Sequence, residues 1–196
     1  MAVAAWIKSK TADKYLSPIR KQMISILGEG SDVIEPGCGT GDFLLKASSK
    51  ISFGLGIDSD AGMIRYANKQ KIKFEADNVQ FCHSEAHEAM NDRRQFDYAV
   101  ASLFFHVPPW SKALEILNMM GRIADQVLIC AFDKPTKKNQ YVALMLDQIF
   151  TKHYMNFKIY HAKGYMEGLI DKSNLTIRDK HPTFDPTIKI YELTVN

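Results

Sequence analysis

The chain has 196 residues, of which 46% are hydrophobic and 24% are charged, as in an ordinary globular domain that can bury a core of its own. Its formal net charge of +3 at pH 7 is too small to predict a nucleic-acid-binding protein. The three cysteines, Cys38, Cys82 and Cys130, form no CxxC pair, so neither a zinc cluster nor a redox motif is expected.

The sequence carries no sign of export or of membrane insertion. Its opening stretch, MAVAAWIKSK, lacks a basic start followed by a sustained apolar core, and no uncharged stretch approaches the roughly 18 residues of a membrane span. The odd number of cysteines fits a reducing compartment. A single domain over residues 1–196 in the cytoplasm is therefore expected, and the sequence leaves the oligomeric state open.

Predicted helices and strands alternate along the chain. A first helix is expected to begin at Ser17 and Pro18 and to end at Gly28. Five short apolar runs then predict buried strands: DVIEP, SFGLGID, NVQFC, FDYAVAS and QVLICAF. Helical patterns lie between them, so the sequence predicts an α/β doubly wound fold with a mostly parallel sheet.

The end of the chain has a different pattern. Residues 175–195, LTIRDKHPTFDPTIKIYELTV, contain two strand-like arms around prolines with no helix between them. An antiparallel hairpin at the sheet edge is expected, which makes seven strands with the last one antiparallel. The alternation slips between Ile190 and Leu193, which allows a β-bulge there.

The stretch VIEPGCGTGDFL, residues 33–44, places three glycines between a predicted strand and a predicted helix. A P-loop would close with Lys-Ser or Lys-Thr, and a dinucleotide fingerprint would need glycine in place of Asp42. Neither phosphate-binding loop therefore fits. What remains is an acidic residue, Glu35, followed by alternating glycines that allow positive φ and close approach of a ligand.

Two carboxylates indicate the kind of ligand. Glu35, ahead of the loop, suits an ammonium group, and Asp58 ends the next strand at the spacing where a carboxylate can bind ribose hydroxyls. A ligand with an ammonium group, a ribose and no phosphate is S-adenosylmethionine.

The chain resembles the class I S-adenosylmethionine-dependent methyltransferases over nearly its whole length. VIEPGCGTGDFL resembles their first motif and GLGIDSDAGMI their second; VQFCHSEAHE is similar to the third and FDYAVASLFFHV to the fourth. The resemblance implies a Rossmann-like methyltransferase fold, S-adenosyl-L-methionine as cofactor and S-adenosyl-L-homocysteine as product.

The resemblance also implies the roles of individual residues. The first-motif residues would lie along the methionine moiety, Asp58 would bind the ribose, and Met63 and Glu85 would contact the adenine. The implied cofactor-binding residues are Glu35, Gly37, Cys38, Gly39, Gly41, Asp58, Ser59, Met63, Glu85, Ala86 and Ala101. Outside this context Asp58 could cap the next helix, Met63 could belong to the core, and Glu85 could complement a helix dipole.

The stretch HVPPW, residues 106–110, does not match the pattern of adenine and glutamine-amide methyltransferases. Those enzymes carry Asn-Pro-Pro or Asp-Pro-Pro directly after the fourth strand, where this chain has SLFF. Amide-nitrogen methylation of that type is disfavoured, and Pro108 and Pro109 are expected to open a helix. His106 is the candidate general base if the acceptor must lose a proton; the alternative is a structural histidine at the helix start.

Residues of about 134–172 form a longer segment than a simple crossover and are rich in aromatic residues. By resemblance, such an insertion would cap the acceptor site and favour a small, partly apolar or aromatic acceptor. The alternative is that Val142, Met145, Ile149 and Phe150 simply pack a helix on the sheet. Trp6 and Tyr15 could fold over the cofactor from the N-terminal side. The candidate acceptor contacts are Ser102, Tyr15, Tyr141 and Tyr165.

The proposed partner is thus a small-molecule acceptor, with no nucleic acid, no membrane span and no metal expected. Two other functions remain open on the sequence: an RNA or protein methyltransferase, and a non-catalytic S-adenosylmethionine-binding subunit. Activity on free small acceptors would separate the first from a small-molecule enzyme, and cofactor binding without turnover would indicate the second.

Overall fold

A computed structural model describes residues 12–89, 95–150 and 153–195. The helices are α1 (Ala12–Ile26), α2 (Asp42–Ala47), α3 (Ala61–Phe74), α4 (Ala86–Ala89), α5 (Trp110–Ile123), α6 (Lys138–Phe150), α7 (Tyr154–Ala162) and α8 (Tyr165–Ile170). The strands are β1 (Asp32–Pro36), β2 (Phe53–Asp58), β3 (Val79–His83), β4 (Phe96–Ser102), β5 (Ala124–Phe132), β6 (Leu175–Pro182) and β7 (Ile188–Val195).

All seven strands form one sheet in the order β3-β2-β1-β4-β5-β7-β6. Strands β1 to β5 are mutually parallel, β7 runs antiparallel to β5, and β6 antiparallel to β7. The predicted doubly wound sheet with an antiparallel last strand is confirmed. Because β2 and β4 lie on opposite sides of β1, the winding reverses there, and ligands on such sheets bind beyond the carboxyl ends of these strands.

The terminal hairpin contains a β-bulge, as the sequence allowed, but the bulge lies in β6 and not between Ile190 and Leu193 of β7. Strand β7 pairs with β5 without interruption, whereas in β6 the register shifts between Ile177, opposite Leu193, and Asp179, opposite Glu192. Arg178 is therefore the extra residue of a β-bulge.

The first helix begins earlier than the sequence predicted. It is already helical at Ala12, so Pro18 lies inside it and not in its first turn. Proline removes one backbone hydrogen bond from a helix interior. The apolar face of α1 compensates, because Leu16, Ile19 and Met23 are almost completely buried, and tertiary packing outweighs local propensity. Trp6 lies outside the described residues.

The segment after β5 forms α6, α7 and α8. Phe157, Tyr160 and Met166 of this segment are buried in the core. Of the four residues expected to pack α6 on the sheet, Val142 and Ile149 are more than half exposed, whereas Met145 packs against the core. The side chain of Phe150 lies outside the described residues. Across the described parts of the chain, no helix is long and apolar enough to cross a membrane.

Candidate functional site

The glycine loop between β1 and α2 has a backbone that only glycine adopts readily. Gly37, Gly39 and Gly41 have φ values of 71°, 55° and 75°, in the left-handed region that disfavours residues with a Cβ. The amides of Gly37 and Cys38 both donate to the carbonyl oxygen of Ile57, at 2.7 and 3.0 Å. The loop is thereby tethered to the carboxyl end of β2.

Two aromatic rings lie directly against this loop. A Cβ added at Gly37 would come well within 3.0 Å of the Phe104 ring, and one added at Gly41 would come equally close to Phe81. Phe81 belongs to β3 and Phe104 follows β4. The neighbouring strands therefore enclose the loop from both sides, and both the backbone and the packing require glycine.

Asp58 holds the loop from the end of β2. Its Oδ2 accepts a hydrogen bond from the Gly39 amide at 2.8 Å, and its Oδ1 accepts one from the Asp60 amide at 2.8 Å. The alternative that Asp58 caps the next helix is wrong. Asp60 is the N-cap of α3, and it accepts from the amides of Gly62 and Met63 at 2.6 and 3.2 Å.

The predicted adenine contacts gather at the same edge of the sheet. Met63 is half-buried in the first turn of α3, and Ala86 is buried at the start of α4. The carbonyl oxygen of Ser59 lies within hydrogen-bond distance of Nε2 of His83, at 3.1 Å. Glu85 accepts a hydrogen bond of 2.6 Å from Lys112 of α5, and this bond lowers the pKa of Glu85.

Glu35 is almost completely buried at the end of β1, with 2% of its surface exposed. Charged carboxylates are rarely buried unless their surroundings compensate the charge. Because β1 leads directly into the glycine loop, Glu35 places negative charge beside it. Ala101, one strand away in β4, is completely buried and belongs to the core.

A buried ion network, missed by the sequence reasoning, ties α1 to the loop. Nη1 of Arg20 donates to Asp13 at 2.9 Å and to Asp42 at 2.7 Å. Asp13 also accepts from the Thr40 hydroxyl at 2.6 Å, and Asp42 from Lys46 at 2.7 Å. One signal could have indicated it: Arg20 is a cation within the apolar stripe that α1 buries.

A cavity of about 590 Å³ opens beyond the carboxyl ends of β4 and β5. It lies between α1, α6 and the β6–β7 loop, and its lining is mainly apolar. The lining residues are Tyr15, Leu16, Leu103, Phe132, Gln140, Ala143, Leu144, Asp185, Thr187 and Ile188. Such a volume and lining suit a small organic molecule.

The polar end of this cavity is organised around Asp185. One carboxylate oxygen accepts from the Tyr15 hydroxyl at 2.8 Å, and the other accepts from the amide and hydroxyl of Thr187 at 2.8 and 2.7 Å. Partial burial, followed by the bond to Asp185, raises the pKa of Tyr15 to about 12. Tyr15 thus stays a neutral hydrogen-bond donor at physiological pH.

Leu103 forms the wall of the cavity nearest the end of β4. Its φ of 51° lies in the left-handed region, which is strained for a residue with a branched side chain. The Leu103 amide donates to the carbonyl oxygen of Cys130 at 2.8 Å, which fixes this turn against β5. Backbone strain of this kind is concentrated at functional sites.

His106 lies in a cluster of aromatic rings behind the cavity. Its ring centroid is 4.9 Å from that of Phe132, 6.0 Å from that of Phe157 and 6.4 Å from that of Tyr160. Burial, with a smaller effect of His153, lowers the pKa of His106 to about 3. This environment favours the structural alternative, because a histidine with so low a pKa is a weak base, and the catalytic role stays a prediction.

The four predicted acceptor contacts are not brought together. Of them, the cavity is lined by Tyr15 alone. Tyr165 is buried against Tyr160, 5.6 Å between ring centroids, and Tyr141 packs on His161 at 5.1 Å. Ser102 pairs in register with Cys130 of β5. The residues that sequence reasoning missed are Asp185, Thr187 and Gln140, which no local motif marks.

Residues 27–176 match the model of a family described as a methyltransferase domain. This range is about three quarters of the chain, and the chain belongs to that family. It is an S-adenosylmethionine-dependent methyltransferase domain, as the four sequence motifs implied. Among curated proteins, no sequence matches the chain significantly.

Several solved structures share the fold. The magnesium protoporphyrin IX methyltransferase from Synechocystis PCC 6803, with bound S-adenosylhomocysteine, is 13% identical with a TM-score of 0.66, and the match covers 93% of this chain and 83% of that chain. An O-methyltransferase family protein from Burkholderia thailandensis is 15% identical with a TM-score of 0.75, and the match covers 98% and 60%.

An O-methyltransferase from neocarzinostatin biosynthesis, in complex with S-adenosylmethionine and 2-hydroxy-5-methyl naphthoic acid, is 15% identical with a TM-score of 0.68. The match covers 100% of this chain and 58% of that chain. This chain therefore spans about 60% of the length of two of these structures. At such identities the likeness establishes the fold alone.

The residues at the loop fit the cofactor chemically. A buried carboxylate at Glu35 suits a ligand that carries ammonium and sulfonium charges, and Asp58 offers carboxylate oxygens at the end of β2. The left-handed glycines expose the backbone without a Cβ. The site thus combines a cofactor loop with a neighbouring apolar cavity, which is what transfer of a group between two ligands requires.

Proposed function

We propose that this domain transfers a methyl group from S-adenosylmethionine to a small, partly apolar or aromatic molecule bound in the cavity. The observation that supports the proposal most is the position of the cavity beyond β4 and β5, since β4 pairs with β1, the strand that leads into the glycine loop. Its volume of about 590 Å³ is that of a site for a small organic ligand.

In this proposal the glycine loop and Glu35 hold the methionine end of the cofactor, and Asp58 binds the ribose. Met63, Glu85 and Ala86 form the adenine side. When bound, the cofactor would supply an electrophilic methyl group: the acceptor would bond to the methyl carbon in line as the carbon–sulfur bond breaks, and the sulfur would leave as the neutral thioether of S-adenosylhomocysteine. The protein contributes mainly by positioning the two ligands and by excluding water.

The charge of the cavity favours an uncharged or a cationic acceptor. Within the described residues, its lining includes the carboxylate of Asp185 but no lysine or arginine. An acceptor with a free carboxylate would be desolvated there without a counter-charge. A hydroxyl or amine on a planar apolar body would find the Tyr15–Asp185 pair as its polar partner.

The solved neighbours support the aromatic character of the acceptor but not its charge. One of them binds 2-hydroxy-5-methyl naphthoic acid, which carries the carboxyl group that this cavity disfavours, and another acts on magnesium protoporphyrin IX. In this protein, Phe132 and Leu144 belong to the apolar lining of the cavity, and their side chains would pack on a planar ring.

We also propose a domain organisation, a compartment and a class of partner for the enzyme. We expect residues 1–196 to act as one domain in the cytoplasm, with α6 to α8 capping the acceptor site and without a nucleic-acid partner. The three cysteines are free thiols, which fits a reducing compartment. The net charge of +3 provides little attraction for a phosphate backbone.

A transfer assay with labelled S-adenosylmethionine tests the proposal. The protein is offered three groups of acceptors: small phenols, catechols and aromatic amines; RNA; and unfolded protein. We expect transfer to a small aromatic acceptor and none to the polymers. Transfer to RNA or protein alone would favour a polymer methyltransferase, and cofactor binding without any transfer would favour a non-catalytic binding subunit.

A pair of variants in α6 tests whether the acceptor binds in the cavity. Ala143→Trp introduces an indole into the cavity, so acceptor turnover should fall at least about tenfold, as expected when a bound ring is displaced. Val142→Trp is the matched control, since Val142 is 54% exposed and does not line the cavity. Equal activity of the two variants would place the acceptor elsewhere.

A further inference from the structure

The terminal hairpin presents three metal-ligating side chains on one face. Asp179 of β6 lies opposite Glu192 of β7, and His181 follows Asp179 at the spacing that returns a side chain to the same face. Nε2 of His181 is 2.6 Å from Oε1 of Glu192 and 3.7 Å from Oδ2 of Asp179. The three donor atoms all lie within 4.8 Å of one another, so a single small ion can contact all of them.

The β-bulge of β6 aligns these side chains. With Arg178 as the extra residue, Asp179 pairs with Glu192. Without this shift of register Asp179 would pair with Tyr191, and both ligands of β6 would lie on the opposite face from Glu192. Bulges often redirect side chains next to functional sites. The sequence does not reveal this set, because the three residues become neighbours only through the bulge.

The cluster has an excess of negative charge. Among the described residues, the only ion-pair partner of either carboxylate is the His181 ring. Lys180 lies between Asp179 and His181 in the sequence but on the other face, where its Nζ contacts Asp133 and Glu167. Two carboxylates therefore face at most one positive charge, and the more buried of them has a side chain that is only 16% exposed. A divalent cation would balance the two negative charges.

The chemistry of the donors indicates the kind of ion. One imidazole nitrogen and two carboxylate oxygens form a set that Zn²⁺ and similar divalent transition metals accept. Donors bound to one such ion at about 2 Å lie roughly 3–4 Å apart, so the pair at 2.6 Å must widen when the ion replaces its hydrogen bond. Oδ1 of Asp179 accepts from the Lys180 amide at 2.7 Å, which orients this ligand. We propose that Asp179, His181 and Glu192 bind a divalent transition-metal ion such as Zn²⁺.

An ion at this place would join the two strands of the hairpin near the loop at its end. The last register pair is Pro182 with Lys189, and residues 183–187 connect the strands. Asp185 of this loop forms the polar end of the cavity. The proposed ion is therefore structural: it stabilises the hairpin that carries Asp185 and takes no part in methyl transfer. Its binding does not depend on the proposed function.

Titration of the untagged protein with Zn²⁺, in competition with a colorimetric chelator, tests the proposal. We expect one equivalent of Zn²⁺ to bind with micromolar or tighter affinity. At a hundredfold excess over Kd, Zn²⁺ should raise the unfolding temperature by about 5 °C, because the ion binds the folded chain, and EDTA should reverse the shift. Absence of saturable Zn²⁺ binding by the folded protein would overturn the proposal.

Two variants remove one ligand each. Asp179→Ala and His181→Ala should each weaken Zn²⁺ binding at least about tenfold. The Asp179 side chain is 61% exposed, so this variant should fold normally, as circular dichroism can check, and it keeps the bond between His181 and Glu192. If Asp179→Ala bound Zn²⁺ as tightly as the wild-type protein, that bond would be an ordinary cross-strand hydrogen bond and the proposal would be wrong.

Cys82→Ser is the matched control. Cys82 is an exposed free thiol in β3, at the opposite edge of the sheet from β6, and a cysteine thiolate is a strong Zn²⁺ ligand. Because the two positions are far apart, the variant should bind Zn²⁺ within about twofold of the wild-type affinity. Loss of binding in Cys82→Ser, with binding retained in the two hairpin variants, would place the ion at the thiol and overturn the proposal.

Discussion

The proposed cofactor side and the proposed acceptor side of this domain are built from very different lengths of chain. The glycine loop, Glu35 and Asp58 lie within 24 residues and are connected by bonds between neighbouring strands, such as that from Gly39 to Asp58. The acceptor cavity joins Tyr15 to Asp185, which are 170 positions apart. The cofactor side is therefore determined by local backbone geometry, whereas the acceptor side is created by the tertiary fold.

The largest effect is expected from adding a single methyl group to the cofactor loop. Gly37→Ala would force a Cβ into the Phe104 ring at a positive φ. Backbone strain and overpacking together should lower the free energy of unfolding by about 3 kcal/mol. Cofactor affinity should also fall at least about tenfold, because the loop must shift. Chemical denaturation and calorimetric titration measure the two effects.

Gly30→Ala is the control for that substitution. Gly30 also has a positive φ of 72°, but a Cβ there would meet nothing within 4 Å. It should lose only about 1–2 kcal/mol through backbone strain and bind the cofactor normally. If both variants lost the same stability and the same affinity, close packing of the loop would not be the reason for its glycines.

The next largest effect is expected on cofactor affinity when Asp58, whose carboxylate binds the Gly39 amide of the loop, is replaced. Asp58→Ala removes a hydrogen bond to Gly39 and the predicted ribose contact, so affinity for S-adenosylhomocysteine should fall about 10- to 100-fold. Asp60→Ala removes the N-cap of α3 instead, and should lower stability by about 1 kcal/mol with little change in affinity. Similar affinities in the two variants would argue against a ribose contact at Asp58.

A pH effect of intermediate size should come from the aromatic cluster on the acceptor side. Since the folded pKa of His106 is lowered to about 3, the unfolded chain takes up a proton near pH 6.5 while the folded protein does not. The contribution of neutral, buried His106 to the free energy of unfolding is therefore fully present above pH 6.5 and is lost as the pH falls. Between pH 7 and pH 5 the free energy of unfolding should decrease by about 2 kcal/mol for this reason.

Denaturant unfolding at the two pH values measures this loss in the wild-type protein and in His106→Phe. The variant cannot be protonated at this position, so its stability should depend on pH by about 2 kcal/mol less. The same pH dependence in both proteins would show that His106 is accessible to protons in the folded state, and would reopen its role as a base.

The smallest effect is expected at the polar end of the cavity. Tyr15→Phe removes the hydroxyl that donates to Asp185 and should raise the acceptor KM about 2- to 10-fold. Cofactor affinity should be unchanged, because the hydroxyl lies on the acceptor side. A loss of cofactor affinity with an unchanged acceptor KM would mean that the two sides are not separate in the way described.

The same contrast explains what the sequence could predict. The buried strands and the glycine loop follow from local patterns, because a buried strand and a left-handed glycine leave a signature within a few residues. The position of Asp58 near the glycine loop could be predicted because it ends the strand that follows the loop along the chain, whereas its hydrogen bond to Gly39 could not. The start of α1 could not be predicted, since burial of Leu16 and Met23 outweighs the helix-breaking tendency of Pro18.

The acceptor side escaped prediction for a physical reason. Tyr141 and Tyr165 have the composition expected of a substrate lid, but packing directs them against other aromatic rings. Asp185 looks like an ordinary surface charge in the sequence. Only the folded chain shows that it lines the cavity.

Binding of S-adenosylmethionine and its product at the glycine loop is tested most directly by calorimetric titration of the wild-type protein with S-adenosylhomocysteine, with NAD and ATP as controls. Our account predicts micromolar binding of S-adenosylhomocysteine at one site and no binding of the two phosphate-bearing nucleotides, because the loop is followed by Asp42 and offers no phosphate site. Binding of NAD or ATP, or no binding of the adenosyl ligand by folded protein, would contradict it.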